Sequence, residues 1–259
     1  MINVRPIPAF DDNYIWLLTR SGYAGCVVVD PGDEDPVIER LQADHLRLDA
    51  ILITHKHGDH VGGIRGLKAR WPDAVVYGPA NEPIALLERR LRGGERLDLQ
   101  GLDVAFDVLD VPGHTEGHIA YYGAGALFCG DTLFAAGCGR VFSGTFEQLS
   151  DSLIRIGGLP ADTRVYCAHE YTLANLGFAA WVEPDSPALH ARTARDGGLR
   201  ERGEPTVPST LGEELATNPF MRTDQGDVVA AASRWAGRAL NDRGAVFRAL
   251  RTWKDREYD

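Results

Sequence analysis

Through its first 170 positions the chain alternates short apolar, β-branched runs with turn signals, and the runs are too short for helices. "NYIWLLT" (13–19), "GCVVVD" (25–30), "AILIT" (50–54), "AVVYG" (74–78), "HIAYYG" (118–123), "ALFCGD" (126–131) and "RVYCAH" (164–169) read as strands. Three of them end on an ionisable residue: Asp30, Asp131 and His169. Helical spacing of apolar positions follows in 30–44, 60–73 and 145–160, the last two closed by a proline beyond the final turn. Strands and helices mixed in this way predict a layered α/β body. From about residue 170 the texture changes. "ANLGFAAWV", "SPALHARTARDGG", "TLGEELAT", "GDVVAAASRWAGRAL" and "RGAVFRALRTWKDRE" all favour helix, so a helical domain over 170–259 is expected beside an α/β domain over 1–169. Within it "DGGLRERGEPTVPS" (196–209), rich in Gly, Pro and charge, reads as a loop.

A chain of 259 residues can bury a substantial core without disulfides. Its four cysteines, Cys26, Cys129, Cys138 and Cys167, form no CxxC pair and fit reduced thiols in a cytosol. "MINVRPIPAF" lacks the apolar core of a signal peptide, and no run of about 18 apolar residues occurs, so a cytoplasmic protein without a membrane partner is expected. The net charge of −10 argues against nucleic acid as a partner, because that affinity rests on neutralising phosphates with Lys and Arg. Most of the excess acid lies in residues 1–169, with 23 acidic against 15 basic side chains, where a metal can neutralise carboxylates. The basic stretch "RRLRGGER" (89–96) reads as a solvated helix end and loop.

The chemistry concentrates in "ILITHKHGDHVGG" (51–63). Residues two apart in an extended chain project to one side, so His55 and His57 converge on one point, while Asp59 and His60 lie displaced at the turn and helix start. Four ligand-type side chains in six positions exceed what one tetrahedral ion takes from a single segment, which predicts a two-metal site completed by distant residues. Imidazole and carboxylate without thiolate fit zinc, iron or manganese. The same pattern of apolar strand followed by ligand recurs at Asp131 and His169, and a Pro-Gly turn delivers His114. His118 reads as supporting or structural, and His45 and His190 as surface residues.

HxHxDH, then "PGHTEGH", "CGDTLF" and "AHEYT", resembles the metallo-β-lactamase superfamily. The flanks "PAFDDNYIWLL", "DPGD", "GCGRVFSGT", "HEYTLANLGFA", "NPFMR" and "LRTWKD" are similar to glyoxalase II, the hydroxyacylglutathione hydrolases, from residue 6 to about 255. The resemblance implies a four-layer αββα sandwich with a C-terminal helical domain. It implies one divalent ion on His55, His57 and His114, a second on Asp59, His60 and His169, and Asp131 bridging both, with Asp59 and Asp131 the catalytic carboxylates. Zinc is the expected metal, with iron or manganese as alternates. Lys56 and Gly58 depart from the bulkier residues often found there, at positions that are not ligands.

The implied activity is hydrolysis of S-(2-hydroxyacyl)glutathione, such as S-D-lactoylglutathione, to glutathione and a 2-hydroxy acid, D-lactate in that case. A metal pair lowers the pKa of bound water toward about 7, and a thioester's leaving thiolate, with a pKa near about 8.5, needs little help from an acid. The chain has neither a GxSxG elbow nor a Walker A loop. By match, Arg140, Tyr171, Asn175, Arg251 and Lys254 contact the acidic glutathione moiety, the last two as neighbours on one helix face at a partly exposed surface. Phe142 stands where some members carry a Tyr, so that hydroxyl contact is missing. A monomer is the expected state. The alternatives are a single-iron persulfide dioxygenase, or a nuclease or lactonase of the same superfamily. The complete second-site set and the basic C-terminal pair speak for the thioester hydrolase. A non-enzymatic metal-binding or scaffold protein is disfavoured because structural zinc sites are closed.

Overall fold

Strands β2 (Asn13–Arg20) and β3 (Gly25–Val29) are buried on both faces, which requires a layer on each side of their sheet. The computed structural model, describing residues 2–258, supplies those layers. β1 (Ile2–Ala9) pairs antiparallel with β2, and β2 with β3; α1 (Asp35–Ala43) then carries the chain to β4 (Arg47–Leu52), parallel to β3. Two short helices, α2 (Gly58–Val61) and α3 (Ile64–Arg70), lead to β5 (Val75–Pro79), parallel to β4, and β6 (Arg89–Leu91) closes a six-stranded sheet in sequence order. β7 (Arg96–Leu99), β8 (Val104–Asp110), β9 (Ile119–Gly123) and β10 (Ala126–Gly130) follow as an antiparallel meander.

Alternation decides the packing. Ile15, Leu17, Val28 and Ile51 point to one side of the first sheet and join Val37 and Leu41 of α1 and Ile64 and Leu67 of α3 in one core. Their neighbours Trp16, Leu18, Val29 and Leu52 are equally buried on the other side. The meander contributes Phe106, Val108, Tyr121 and Phe128 to the interior, and the Tyr121 hydroxyl donates to the Ile53 carbonyl at 2.8 Å. These elements form the first of two compact units, Met1–Val111 with Thr115–Gly130.

The second unit joins Pro112–His114 to Asp131–Asp259. It opens with a small hairpin, β11 (Leu133–Phe134) and β12 (Gly137–Cys138), followed by α4 (Phe146–Gly157). A reciprocal capping box starts α4: Thr145 Oγ1 accepts from the Gln148 amide, and Gln148 Oε1 accepts from the Thr145 amide. β13 (Arg164–Cys167) leads to α5 (Thr172–Val182) and α6 (Pro187–Glu201); β14 (Ser209–Thr210) pairs with β13 before α7 (Leu211–Thr217), α8 (Gly226–Ala236) and α9 (Arg243–Glu257). Phe178, Phe220, Phe247 and Leu250 are buried within this unit.

Two readings of the sequence change. Arg89–Leu91 and Arg96–Leu99 are strands at the outer ends of their sheets rather than a helix end and loop, because the alternation within each is only three or four residues long and hidden by arginines. Residues 196–201 belong to α6 rather than to a loop, since buried Asp196 is bonded by Arg192 within the helix and by Arg195, outweighing the cost of Gly197 and Gly198.

Candidate active site

The parallel pairing of β3 with β4 brings the ends of these strands side by side, where sites in α/β sheets form. Asp30, one residue past β3, is buried with φ +52°, a left-handed conformation that Asp tolerates better than most residues. Its Oδ1 accepts from the Thr54 amide at 2.8 Å and its Oδ2 from the Thr54 hydroxyl at 2.7 Å. Thr54 Oγ1, its own proton used on Asp30, stands 3.1 Å from His55 Nδ1 and accepts from it. His55 is thereby fixed with Nδ1 protonated and Nε2 presenting a lone pair. His57 Nδ1 lies 3.0 Å from that Nε2, so both rings aim at one point.

Asp59 and His60 stand on the single turn of α2. His60 Nδ1 lies 3.1 Å from Asp30 Oδ2, which holds the ring with Nε2 facing Asp59 Oδ2 at 3.4 Å. Asn13 donates to the same Asp59 oxygen at 3.0 Å. The turn is pressed close to the "DPG" loop: a Cβ at Gly32 would fall 1.9 Å from the Asp59 carbonyl oxygen. Buried Glu82 braces the motif from the other side, accepting from the Lys56 amide at 2.8 Å and the Gly117 amide at 3.1 Å. His118 stacks on His55 with centroids 4.6 Å apart, as a supporting ring.

In the second unit, Gly113 has φ +144° and no room for a side chain, since a Cβ would lie 2.4 Å from Leu149 Cα. This tight passage delivers His114, whose Nδ1 donates to the Arg140 carbonyl at 2.8 Å and whose Nε2 faces Asp131 Oδ2 at 3.5 Å. The other carboxylate oxygen, Asp131 Oδ1, lies 3.4 Å from His169 Nε2. Each oxygen of Asp131 thus faces a different histidine. Tyr171 stacks on the His169 ring at 4.7 Å and 7°, and Phe134 meets both rings edge-on.

These donor sets fit divalent ions. His55 and His114 carry their proton on the nitrogen bonded to the protein, and the nitrogens left over face His57 Nδ1 at 3.0 Å and Asp131 Oδ2 at 3.5 Å. Ring nitrogens and carboxylate oxygens gathered at 3.0–3.5 Å make a donor set that a divalent cation would suit. Asp30, Thr54, Asn13 and Glu82 were not singled out as functional from sequence. The one signal for Asp30 is its place at the end of an apolar strand, shared with Asp131 and His169.

A pocket of about 470 Å³ opens within the second unit, with His114 and Asp131 in its wall. All six residues expected at the substrate line it: Arg140, Phe142, Tyr171, Asn175, Arg251 and Lys254. Their environments differ from a solvated patch. Arg251 is 1% and Lys254 5% exposed, a correction to the expected partly exposed pair, because Phe220 and Tyr258 cover the α9 face that carries them. The Arg251 guanidinium donates to the Cys138 carbonyl at 3.1 Å and pairs with Asp255 at 2.9 Å. Asn175 donates to the Ala135 carbonyl at 3.0 Å, and exposed Phe142 meets the His114 ring edge-on at 5.2 Å. Burial pushes the Cys138 thiol up to about 11, against the pull of Arg251, and the Cys167 thiol up to about 12, so neither offers a thiolate at neutral pH. His45 and His190 are exposed, as expected.

The superfamily model "Metallo-beta-lactamase superfamily" matches residues 9–169, and the family model "Hydroxyacylglutathione hydrolase C-terminus" matches 170–257. The chain is 53% identical over 255 residues to a hydroxyacylglutathione hydrolase of Alkalilimnicola ehrlichii, covering 98% of this chain and 99% of the relative. It is 50% identical over 256 residues to that of Aeromonas salmonicida, with the same coverage. Among solved structures, ETHE1 from Myxococcus xanthus superposes with TM-score 0.67 at 24% identity, covering 96% of this chain and 89% of the other, a likeness of fold alone. TTHA1623, crystallised in a di-iron-bound form, gives TM-score 0.59 at 28% identity over 83% of this chain and 99% of its own.

Proposed function

The chain belongs to the hydroxyacylglutathione hydrolase family of the metallo-β-lactamase superfamily, and from that premise we propose that it hydrolyses S-(2-hydroxyacyl)glutathione, S-D-lactoylglutathione included, to glutathione and the 2-hydroxy acid. In this reading His55, His57 and His114 hold one divalent ion, Asp59, His60 and His169 the other, and Asp131 both. Zinc is the favoured metal, with iron or manganese as alternates, since imidazole and carboxylate without thiolate suit each of them. When bound, the ions acidify water and polarise the thioester carbonyl. Asp131, whose two oxygens face His114 and His169, would hold both ions and offset their charge, and Asp59, oriented by Asn13, would add a second carboxylate to that balance. The thiolate departs without a protein acid.

The observation that carries the substrate assignment is the pocket itself. It runs from His114 and Asp131 to the cationic side chains of Arg140, Arg251 and Lys254, spacing that suits an acyl thioester whose thiol partner is anionic. Residues 1–169 then act as the catalytic domain and 170–259 as the substrate-binding domain, in a cytoplasmic monomer with neither nucleic acid nor membrane as partner. No helix among the described residues is long and apolar enough to cross a membrane. A persulfide dioxygenase is the weaker reading, because the C-terminal family model matches the hydrolases through residue 257.

The test is turnover of S-D-lactoylglutathione beside nitrocefin and glutathione persulfide, with metal content measured on the same protein. The expected result is thioester hydrolysis with two ions per chain and one solvent oxygen entering the acid. Asp131→Ala should abolish turnover and lower the metal content most. Oxygen consumption with the persulfide and a single ion per chain would overturn the proposal, as would an acylated side chain trapped on the reaction path.

A further inference from the structure

The pocket's cation Lys254 has a neighbour that no family motif singles out. Its Nζ lies 5.9 Å from the centre of the Tyr258 ring, within cation–π range. Tyr258 follows the last residue of α9, yet it is well anchored: its ring stands edge-on to Trp181 at 4.9 Å and 89°, and tilts against Phe178 at 5.7 Å. Its hydroxyl rests on bare backbone. A Cβ at Gly177, in the middle of α5, would fall 1.9 Å from Tyr258 Oη. Glycine is a poor helix former at an interior position, and the close approach of the tyrosine explains its presence there.

We propose that Tyr258 is a positioning residue for substrate: seated on Gly177, its ring holds the Lys254 ammonium in the pocket wall, oriented toward the anionic part of the thioester. The inference rests on the reading of Lys254 as a substrate contact. A lysine has a long, flexible stem, and fixing its head before the substrate arrives removes the entropy of doing so on binding. The ring face attracts the ammonium without neutralising it, so the positive charge remains available to a carboxylate.

Three variants test this against Lys254→Ala, on S-D-lactoylglutathione and on a lactoyl thioester of a small neutral thiol. Tyr258→Ala should raise KM for the glutathione substrate about threefold to tenfold, the range of one partly screened cation–π contact, with kcat unchanged. Gly177→Ala should do the same by pushing the ring aside while leaving Tyr258 and Lys254 in the sequence. Tyr258→Phe, which keeps the ring, should stay near the unmodified KM. None should alter KM for the neutral thioester, and Tyr258→Ala should add nothing in a Lys254→Ala background. Equal KM losses on both substrates, or a Tyr258→Phe defect as large as that of Tyr258→Ala, would overturn the proposal. If Lys254→Ala raises KM and Tyr258→Ala does not, this inference alone fails. If Lys254→Ala leaves KM unchanged, the reading of Lys254 fails and takes the inference with it.

Discussion

Thr54 shows how much of the centre rests on residues that bind no metal and no substrate. Its hydroxyl gives a proton to Asp30 and receives one from His55, so one side chain decides which nitrogen of that ring is available as a ligand. Thr54→Val keeps the shape and removes both bonds. Metal affinity at the His55 position should fall about 10- to 100-fold, measured by competition with a chromophoric chelator. The seven candidate ligands were legible because histidines and an aspartate crowd into positions 55–60 and the rest follow apolar strands or a Pro-Gly turn. The roles of Thr54 and Asp30 were not, since an aspartate or a threonine closing an apolar strand is ordinary; only the parallel register of β3 and β4 makes them partners. Nor could sequence show that α9 buries Arg251 and Lys254, because exposure of a helix face depends on what is packed over it.

The element with the most at stake for its size is the hairpin β11–β12, two residues in each strand, which contributes Phe134 and Cys138 to the pocket. It is held by side chains from well down the sequence. Asn218 donates to the Gly137 carbonyl at 2.9 Å, and Glu214 accepts from the Ala136 amide at 2.8 Å and from Asn218 at 3.0 Å. Arg192 completes the network with a 2.7 Å bond to Glu214 and another to Thr217. Glu214→Ala would leave a buried guanidinium short of its closest counter-charge and should cost about 3–5 kcal/mol in urea unfolding, with pocket function lost before the fold. The central strands and C-terminal helices were legible from their periodicity. β1 was not, because Pro6 and Pro8 disguise an edge strand, where proline is tolerated. The purpose of "NPFMR" also needed the structure, since its asparagine acts on carbonyls some 80 positions earlier.

At the scale of the whole molecule the cysteines set an alkaline limit. All four are buried, and burial pushes Cys26 and Cys167 up to about 12 and Cys138 up to about 11. A thiol whose folded pKa is raised contributes stability that is complete below its unfolded value and lost as pH rises toward the folded one. Thermal stability should therefore hold up to about pH 8.5 and decline steadily above it, and iodoacetamide should label the thiols only as the protein unfolds. Fast labelling of native protein at neutral pH would contradict this. The arginine-rich stretch from Arg89 to Arg96, expected to be a solvated loop, bears on how separate molecules meet. Its two strands are the last in their respective sheets, with Arg89, Arg90 and Arg96 exposed along them. An open strand end is a template for pairing with another chain, and a row of guanidinium groups makes that pairing repulsive between identical copies. The arginines of Arg89–Leu91 in particular would set like charge against like charge wherever two copies of that edge met.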